Sequence, residues 1–268
     1  MTDTYVTKDS FWHSLSVQVR VVRALVFREM LSRFGRSNLG FLWLFFEPML
    51  FCLAVTFVWI FIREKGVEAT LSIPAFALTG YCAKLLWRNV SSRCSTAIEP
   101  NARLLYHRNV RVIDLFYSRI ILEIMGLTGA FVFLCYFFAA MSWCELPRYP
   151  ALVIAGWLFM AWFSVGLGLL VGAIAGLFES FARFWRVFVY LMFPLSGAVF
   201  MVDWLPPPAR EFVLWLPMVH ATEMIRHGFF GEAVRTYEDP LFLAFANLFF
   251  MTVGLALVRA TDRRVSPV

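Results

Sequence analysis

The 268-residue sequence has no polar stretch long enough to fold as a separate soluble domain. Only 16% of its residues are charged, against about 25% in ordinary soluble chains. No short apolar stretch with a small-residue cleavage site opens it, so the N-terminus is expected to stay in the cytoplasm. It lacks the G-x-x-x-x-G-K-[ST] loop that cradles nucleotide phosphates on backbone N–H groups, which excludes ATP binding of that kind. Its four histidines, His13, His107, His220 and His227, are scattered, with no HExxH pattern and no metal-ligand cluster. No G-x-S-x-G elbow or other nucleophile arrangement is present. The five cysteines (Cys52, Cys82, Cys94, Cys135, Cys144) have neither CxxC nor zinc-type spacing, and all but Cys144 fall within apolar segments, where they act as filler. Catalysis, a metal and a cofactor are therefore not expected in this chain.

What the sequence does contain is apolar. Sixty per cent of residues are hydrophobic and 18% aromatic, with 30 phenylalanines and a mean hydropathy of +0.71. Soluble domains stop at about 45–50% apolar, so the chain reads as an integral membrane protein with one membrane domain over residues 1–268. A bilayer core needs about 20 mostly apolar helical residues. Six stretches qualify: Leu39–Ile62, Leu71–Ser92, Val112–Trp143, Ala151–Leu177, Phe184–Met201 and Leu241–Val258. Irregular backbone cannot face lipid, so the expected fold is all-α and polytopic, with six transmembrane helices. Fifteen Lys and Arg fall on the side of the N-terminus and six on the other (Arg63, Lys65, Arg148, Arg210, Arg226, Arg235), which places both termini in the cytoplasm. The net charge of +6 reflects this asymmetry and attraction to anionic lipid heads rather than nucleic-acid binding.

Two regions do not span. In residues 10–34, Phe11, Leu15, Val19, Val22, Val26 and Met30 recur at helical spacing, with Arg20 and Arg23 turned away, which predicts a helix lying on the cytoplasmic leaflet. Residues 203–240 hold short apolar pieces broken by Pro206-Pro207-Pro208, Pro217, Gly228 and Gly231, which predicts a pair of short external, partly re-entrant helices. His220, Glu223 and Arg226 share one face there.

Charged groups within spans are costly, so they face a bundle interior, a partner or water. Tyr81, Lys84 and Arg88 share a face of the second crossing; it either lines a path for an anionic or hydroxyl-rich solute or snorkels its cations toward the head groups. Arg119 and Glu123, four apart, are expected to pair with each other. Ser164, Gly168, Gly172 and Gly176 form a small-residue groove for close helix packing. Glu47-Pro48, in the inner half of the first crossing, reads as part of a cytoplasmic gate or as a simple kink.

Three groups of residues resemble the ABC-2 type transporter permeases, and in particular their capsular polysaccharide export branch, the KpsM-like inner-membrane proteins. The first is Arg28-Glu29, Arg33-Phe34-Gly35, Leu39-Gly40, Leu42-Trp43 and Glu47-Pro48. The second is Ala97-Ile98-Glu99 with Asn101, Tyr106, Arg108, Val110, Ile113-Asp114, Arg119 and Leu122-Glu123. The third is Trp215, Pro217, Val219, His220, Glu223 and Arg226, with Leu216 standing where the family commonly has Asn. The resemblance implies a homodimeric permease of the bacterial inner membrane that pairs with two copies of a cytosolic ATPase, which would hold the ATP and Mg, and exports lipid-linked acidic polysaccharide, with periplasmic co-polymerase or export proteins as further partners. It assigns ATPase coupling to the 10–34 helix and the 99–109 loop, with Arg28, Glu29, Arg33, Glu99, Asn101, Tyr106 and Arg108 as contact residues. Pro100 and Glu99 suit the start of a short helix there. The substrate pathway is expected along the first and fifth crossings, with Trp43, Phe46, Glu47, Tyr190 and Phe193 joining Tyr81, Lys84 and Arg88. O-antigen, teichoic acid and drugs are alternative cargoes on this scaffold. A proton-coupled secondary transporter would instead cycle Glu47 and Glu123, but no inverted repeat is visible.

Overall fold

A computed structural model describes residues 11–35, 42–63, 72–106 and 110–265. Every regular element among the described residues is helical. The helices are α1 (Phe11–Phe34), α2 (Trp43–Arg63), α3 (Ile73–Cys94), α4 (Val112–Ala140), α5 (Pro150–Leu177), α6 (Glu179–Leu191), α7 (Pro207–Val213), α8 (Pro217–Phe230) and α9 (Pro240–Val265), with a 3-10 helix at Glu99–Tyr106 between α3 and α4.

Proline marks the start of many of these helices. α5, α7, α8 and α9 begin on proline and α3 has Pro74 in its first two positions. Its missing N–H sits where a helix has no internal partner for one. The α9 start is completed by Asp239, whose Oδ1 accepts from the N–H groups of Leu241 and Phe242, both at 3.0 Å. At α4 the Asp114 carboxylate reaches back to the Arg111 N–H at 2.9 Å.

The centre of the bundle is α5, which packs against α3, α8 and α9. The small-residue groove is what lets it do so. A Cβ at Gly172 would meet the Phe116 ring of α4 at 2.6 Å, and one at Gly176 would meet Ile98 at 2.4 Å and Thr261 of α9 at 2.8 Å. The Phe116 ring and the Ile98 and Thr261 side chains therefore occupy the space a Cβ would take at these positions. Gly172→Val is expected to cost about 1–3 kcal/mol through overpacking, read as a lower thermal-unfolding midpoint in detergent; an unchanged midpoint would refute the close approach.

By length and apolar content α4, α5 and α9 can cross a membrane. The second expected crossing corresponds to α3 and the first to α2, of 22 and 21 residues. The fifth is a correction. The chain is helical only from Glu179 to Leu191, 13 residues, and continues as turns through Phe193–Phe200. Thirteen residues rise about 20 Å, short of a bilayer core of about 30 Å. Pro194 explains the end of α6: it has no N–H to donate, and its ring opposes continuation of the preceding turn. The middle of the unwound stretch is not on the surface. Ser196, Gly197 and Ala198 are buried, and a Cβ on Gly80 of α3 would strike the Ala198 carbonyl at 2.6 Å.

The helix expected at 10–34 is present as α1. It packs on α4 through Gln18, Leu25, Glu29 and Arg33. Leu15 and Val19 of the apolar stripe stay exposed, Val19 at 60%, as do Trp12, Phe27 and Leu31. Polar groups of α1 reach partners in the bundle, while part of its apolar surface is shared with α4: Leu25 is buried, and Val22 and Val26 line a cavity with Tyr117 and Ile121. The two short helices expected in residues 203–240 are α7 and α8. A separate small core of Val202, Val213 and Val219 lies beneath α7, while α8 is buried along most of its length against α3, α5 and α9.

Candidate functional site

Where α1, α3 and α4 meet, five charged side chains close a network. Glu29 and Arg33 lie one turn apart on α1, and Arg119 and Glu123 one turn apart on α4. The Glu29 carboxylate takes Arg33 Nη2 at 2.9 Å and Arg119 Nε at 3.2 Å. The Glu123 carboxylate takes the other arm of Arg33 and, from the last turn of α3, Arg93 Nε at 3.3 Å. Arg119 and Glu123 therefore do not pair with each other, contrary to expectation. Each turns to the oppositely charged member of the α1 pair, because a cross-helix contact can be shorter and drier than one along a helix surface. Arg119 Nη1 also donates to the Arg93 carbonyl at 2.6 Å and to Thr96 Oγ1 at 3.2 Å, placing a cation on the C-terminal end of α3. Two further contacts fasten α1: Gln18 donates to Asp114, and Arg28 to Asn101 in the 3-10 helix. Asn101 is itself held by its amide on the Ala97 carbonyl at 2.8 Å.

A groove of about 560 Å³ opens between α2 and α3 beside this junction. Trp43, Leu50, Phe51 and Leu85 form its apolar wall, and Arg88, Asn89, Ser92, Arg93 and Thr96 its polar wall. Arg93 and Thr96 belong to both structures, so the groove and the charge network share a wall. Deeper along α3, Lys84 is 4% exposed and its Nζ lies over the Phe193 ring at 4.2 Å and toward Phe51 at 5.8 Å. The Tyr81 ring approaches the same two rings, at 5.9 Å and 5.8 Å. Arg88 stacks on Tyr190 of α6 at 5.3 Å and reaches its hydroxyl at 3.4 Å. Cys52 and Cys82 Sγ approach to 3.3 Å between α2 and α3.

A third set lies on α8. Arg226 is wholly buried, donates to the carbonyls of Ala198 (3.3 Å) and Phe200, stacks on Phe76 at 4.3 Å and lies 3.6 Å from Glu223. It thereby supplies donors to the unwound chain after α6, which has no helix ladder to use. Burial pushes the Glu223 carboxyl up against the pull of Arg226, and brings the Arg226 guanidinium down to about 10. His220 has a fixed tautomer: its Nδ1 accepts from the Asp239 N–H at 3.0 Å, so Nε2 carries the proton and donates to the Leu214 carbonyl at 2.7 Å. These three residues pack the bundle, joining α8 to the segments before and after it.

The structure thus brings Tyr81, Lys84, Arg88, Tyr190 and Phe193 into one ladder and adds Trp43 to its mouth. Phe46 is exposed on α2 away from the groove lining. The α2 backbone runs through Glu47 and Pro48 as continuous helix; the Glu47 side chain, the Tyr106 side chain and all of Arg108 lie outside the described residues. Among the coupling residues Arg28, Glu29, Arg33 and Asn101 converge, whereas Glu99 is exposed at the start of the 3-10 helix. Sequence reasoning missed Arg93, Thr96 and Gln18. A signal was available for the network itself: Glu-x-x-x-Arg at 29–33 and Arg-x-x-x-Glu at 119–123 are mirror orders, which four charges need in order to close a square between two helices.

Comparison with known proteins places these residues in context. The sequence model described as ABC-2 type transporter matches residues 20–230. The chain is 46% identical over 260 residues, 97% of its length and 98% of the relative's, to the capsule polysaccharide export inner-membrane protein CtrC of Neisseria meningitidis serogroup B. It is 41% identical over 263 residues, 98% and 99% of the two lengths, to the capsule polysaccharide export inner-membrane protein BexB of Haemophilus influenzae. With the polysialic acid transport protein KpsM of Escherichia coli it shares 28% identity over 247 residues, 92% and 95% of the two lengths.

Proposed function

Because the chain belongs to the family of ABC-2 type transporters, we propose that it is the membrane-spanning permease subunit of an ATP-driven exporter that moves lipid-linked capsular polysaccharide across a bacterial inner membrane. The observation that carries this reading is its end-to-end similarity to capsule export inner-membrane proteins, 46% identity over 97% of the chain. ATP and Mg belong to a separate ATPase, two copies of which serve a homodimer of this chain, and the chain itself is a transport subunit rather than an enzyme. Both termini lie in the cytoplasm and the chain makes six passages of the membrane, the fifth completed by the unwound segment after α6. Periplasmic export proteins are further partners.

The geometry supports a mechanism. α1, with apolar residues facing outward, rests on the cytoplasmic leaflet and meets the ATPase together with the 3-10 helix, where Glu99 is exposed. When the ATPases close, α1 and the 3-10 helix move together, since Arg28 joins them. The displacement reaches the α2–α3 groove through Arg93 and Thr96, which are held at once by the charge network and by the groove wall. The pathway runs up the α3 ladder between α2 and α6, where aromatic rings suit the C–H faces of sugars and the polar wall suits their hydroxyls. Glu123 is held by two arginines, which ties it into the α1–α3–α4 junction.

The test is to purify the chain with its neighbouring ATPase and add lipid-linked capsular glycan. Stimulated ATP hydrolysis and retention of the glycan are expected; the absence of both would refute the cargo assignment. Glu99→Lys is expected to weaken ATPase docking about tenfold or more, measured as co-purification and coupled hydrolysis. Unchanged assembly and export would refute the coupling role.

A further inference from the structure

We propose that a second groove, between α1 and α4, binds an anionic phospholipid of the bilayer, with one acyl chain in the groove and the phosphate on Arg23 and Arg20. The inference rests on the reading that α1 lies on the cytoplasmic leaflet, and it concerns a resident lipid rather than the cargo. Its first support is a gap in the packing. α1 is fastened to α4 at two levels, by Gln18 on Asp114 and by Glu29 and Arg33 on Arg119 and Glu123. Between those ties the helices do not close on each other. A groove of about 390 Å³ lies there, walled by Val22 and Val26 of α1 and by Tyr117 and Ile121 of α4, and its lining is almost wholly apolar. Packed protein leaves few voids larger than a water molecule, and water finds few partners on such walls, so the occupant is apolar.

The second support is continuity with a lipid-facing surface. Ile121, Met125, Val132 and Tyr136 are exposed and follow one another at steps of four, seven and four residues, which keeps them on one face of α4. α4 is long and apolar enough to cross a membrane, so the groove is the cytoplasmic end of a stripe that continues into hydrocarbon. A cytosolic partner could cover α1 but could not follow that stripe; an acyl chain can. The third support is charge. Arg23 lines the groove and Arg20 stands about one turn before it, both are exposed, and neither has a hydrogen bond or ion pair among the described residues. Among the described residues no carboxylate lines the groove. A neutral lipid would use the apolar walls alone, whereas an anionic one also uses the two guanidiniums. The lipid then completes the contact between α4 and the helix that meets the ATPase.

The experiment reads occupancy of the groove. The permease, purified with its ATPase, is placed in phosphatidylcholine nanodiscs holding a small fixed fraction of phosphatidylglycerol or phosphatidylcholine with a photoreactive diazirine on one acyl chain, and labelled peptides are mapped after illumination. Labelling of residues 18–27 and 117–121 is expected to be about fivefold or more higher from phosphatidylglycerol, with the preference falling as salt rises. An excess of unlabelled phosphatidylglycerol should suppress that labelling severalfold while labelling at Val132 and Tyr136, in the bulk lipid annulus, stays constant. Arg20→Gln with Arg23→Gln should bring the two lipids to parity. Equal labelling by both lipids, labelling that unlabelled phosphatidylglycerol does not compete, or a preference undiminished in the intact double variant would overturn the proposal. A groove that labels only once the ATPase is removed would assign it to a protein contact, and one from which lipid-linked glycan displaces the label would assign it to the cargo; either result also overturns it. Should the double variant fail to assemble, the competition in the unaltered complex decides. Glycan-stimulated hydrolysis without a phosphatidylglycerol preference would sink this site and leave the export reading standing, and the converse result would do the opposite.

Discussion

Glu123→Ala is expected to release α1 from the bundle and to uncouple ATP hydrolysis from transport. The substitution takes from Arg93 its carboxylate and from Arg33 one of its two, and leaves Glu29 alone to face Arg33 and Arg119. Removing one partner of a buried ion pair costs about 3–5 kcal/mol, because the remaining charges keep their desolvation and lose their compensation. Among the described residues α1 keeps Glu29 on Arg119, Gln18 on Asp114 and Arg28 on Asn101, with Leu25 as its buried apolar residue. Trypsin cleavage at Arg20 and Arg23, both exposed on α1, should therefore accelerate at least tenfold while the α3–α5 core resists, and hydrolysis should lose its response to cargo. The double substitution Glu123→Ala with Arg33→Ala removes one charge of each sign, so its cost should be smaller than the sum of the single costs by about 1 kcal/mol or more. A tryptic pattern and coupling unchanged in Glu123→Ala would show that the network is decorative.

Arg226→Met should abolish accumulation of folded protein. Methionine fills much of the same volume, yet leaves the carbonyls of Ala198 and Phe200 without their donor and Glu223 without its cation. Buried unsatisfied groups cost about 1–3 kcal/mol each and the stranded charge about 3–5, which together approach the whole margin of about 5–15 kcal/mol that a domain has. Arg226→Lys keeps the charge, but one ammonium on a flexible stem cannot serve two carbonyls and a carboxylate as a fixed planar fork does; it should be intermediate. Adding Glu223→Leu to Arg226→Met removes the stranded charge and should recover part of the yield, though not the carbonyl partners. Monodisperse yield and the thermal midpoint in detergent measure both. A methionine variant as stable as the parent would mean that the unwound segment finds its donors elsewhere.

These two expectations lie where sequence reading did least well. The fifth crossing shows why. Phe184–Met201 is apolar throughout most of its length, and hydropathy alone reads it as a span; Pro194 and Gly197, with φ +75°, decide instead that the helix stops and turns. A broken helix inside a bundle is possible only if something supplies hydrogen bonds, and that something, Arg226, lies 28 residues from Ala198. Likewise the α1 stripe was legible as a helical period, but not that Gln18, Glu29 and Arg33 turn into the bundle, since periodicity is silent about which distant side chains lie opposite. The junction illustrates the middle case. Glu29, Arg33, Asn101, Asp114, Arg119 and Glu123 all stand out as motif residues, yet a spacing of four invites the local pairing of Arg119 with Glu123 that the tertiary contacts replace.

By itself the sequence determined the class of protein, the helices and most of their ends, and the motifs that mark the family. Those are local properties, set by the length of an apolar run against 1.5 Å of rise per residue and by where proline withholds an N–H. Only the tertiary structure decided which charges meet, which face of α1 turns inward, and that Arg93 and Thr96 join the charge network to the groove. Those contacts link residues as much as 96 positions apart, as between Gln18 and Asp114, and their energies depend on burial, which no run of neighbouring residues can set.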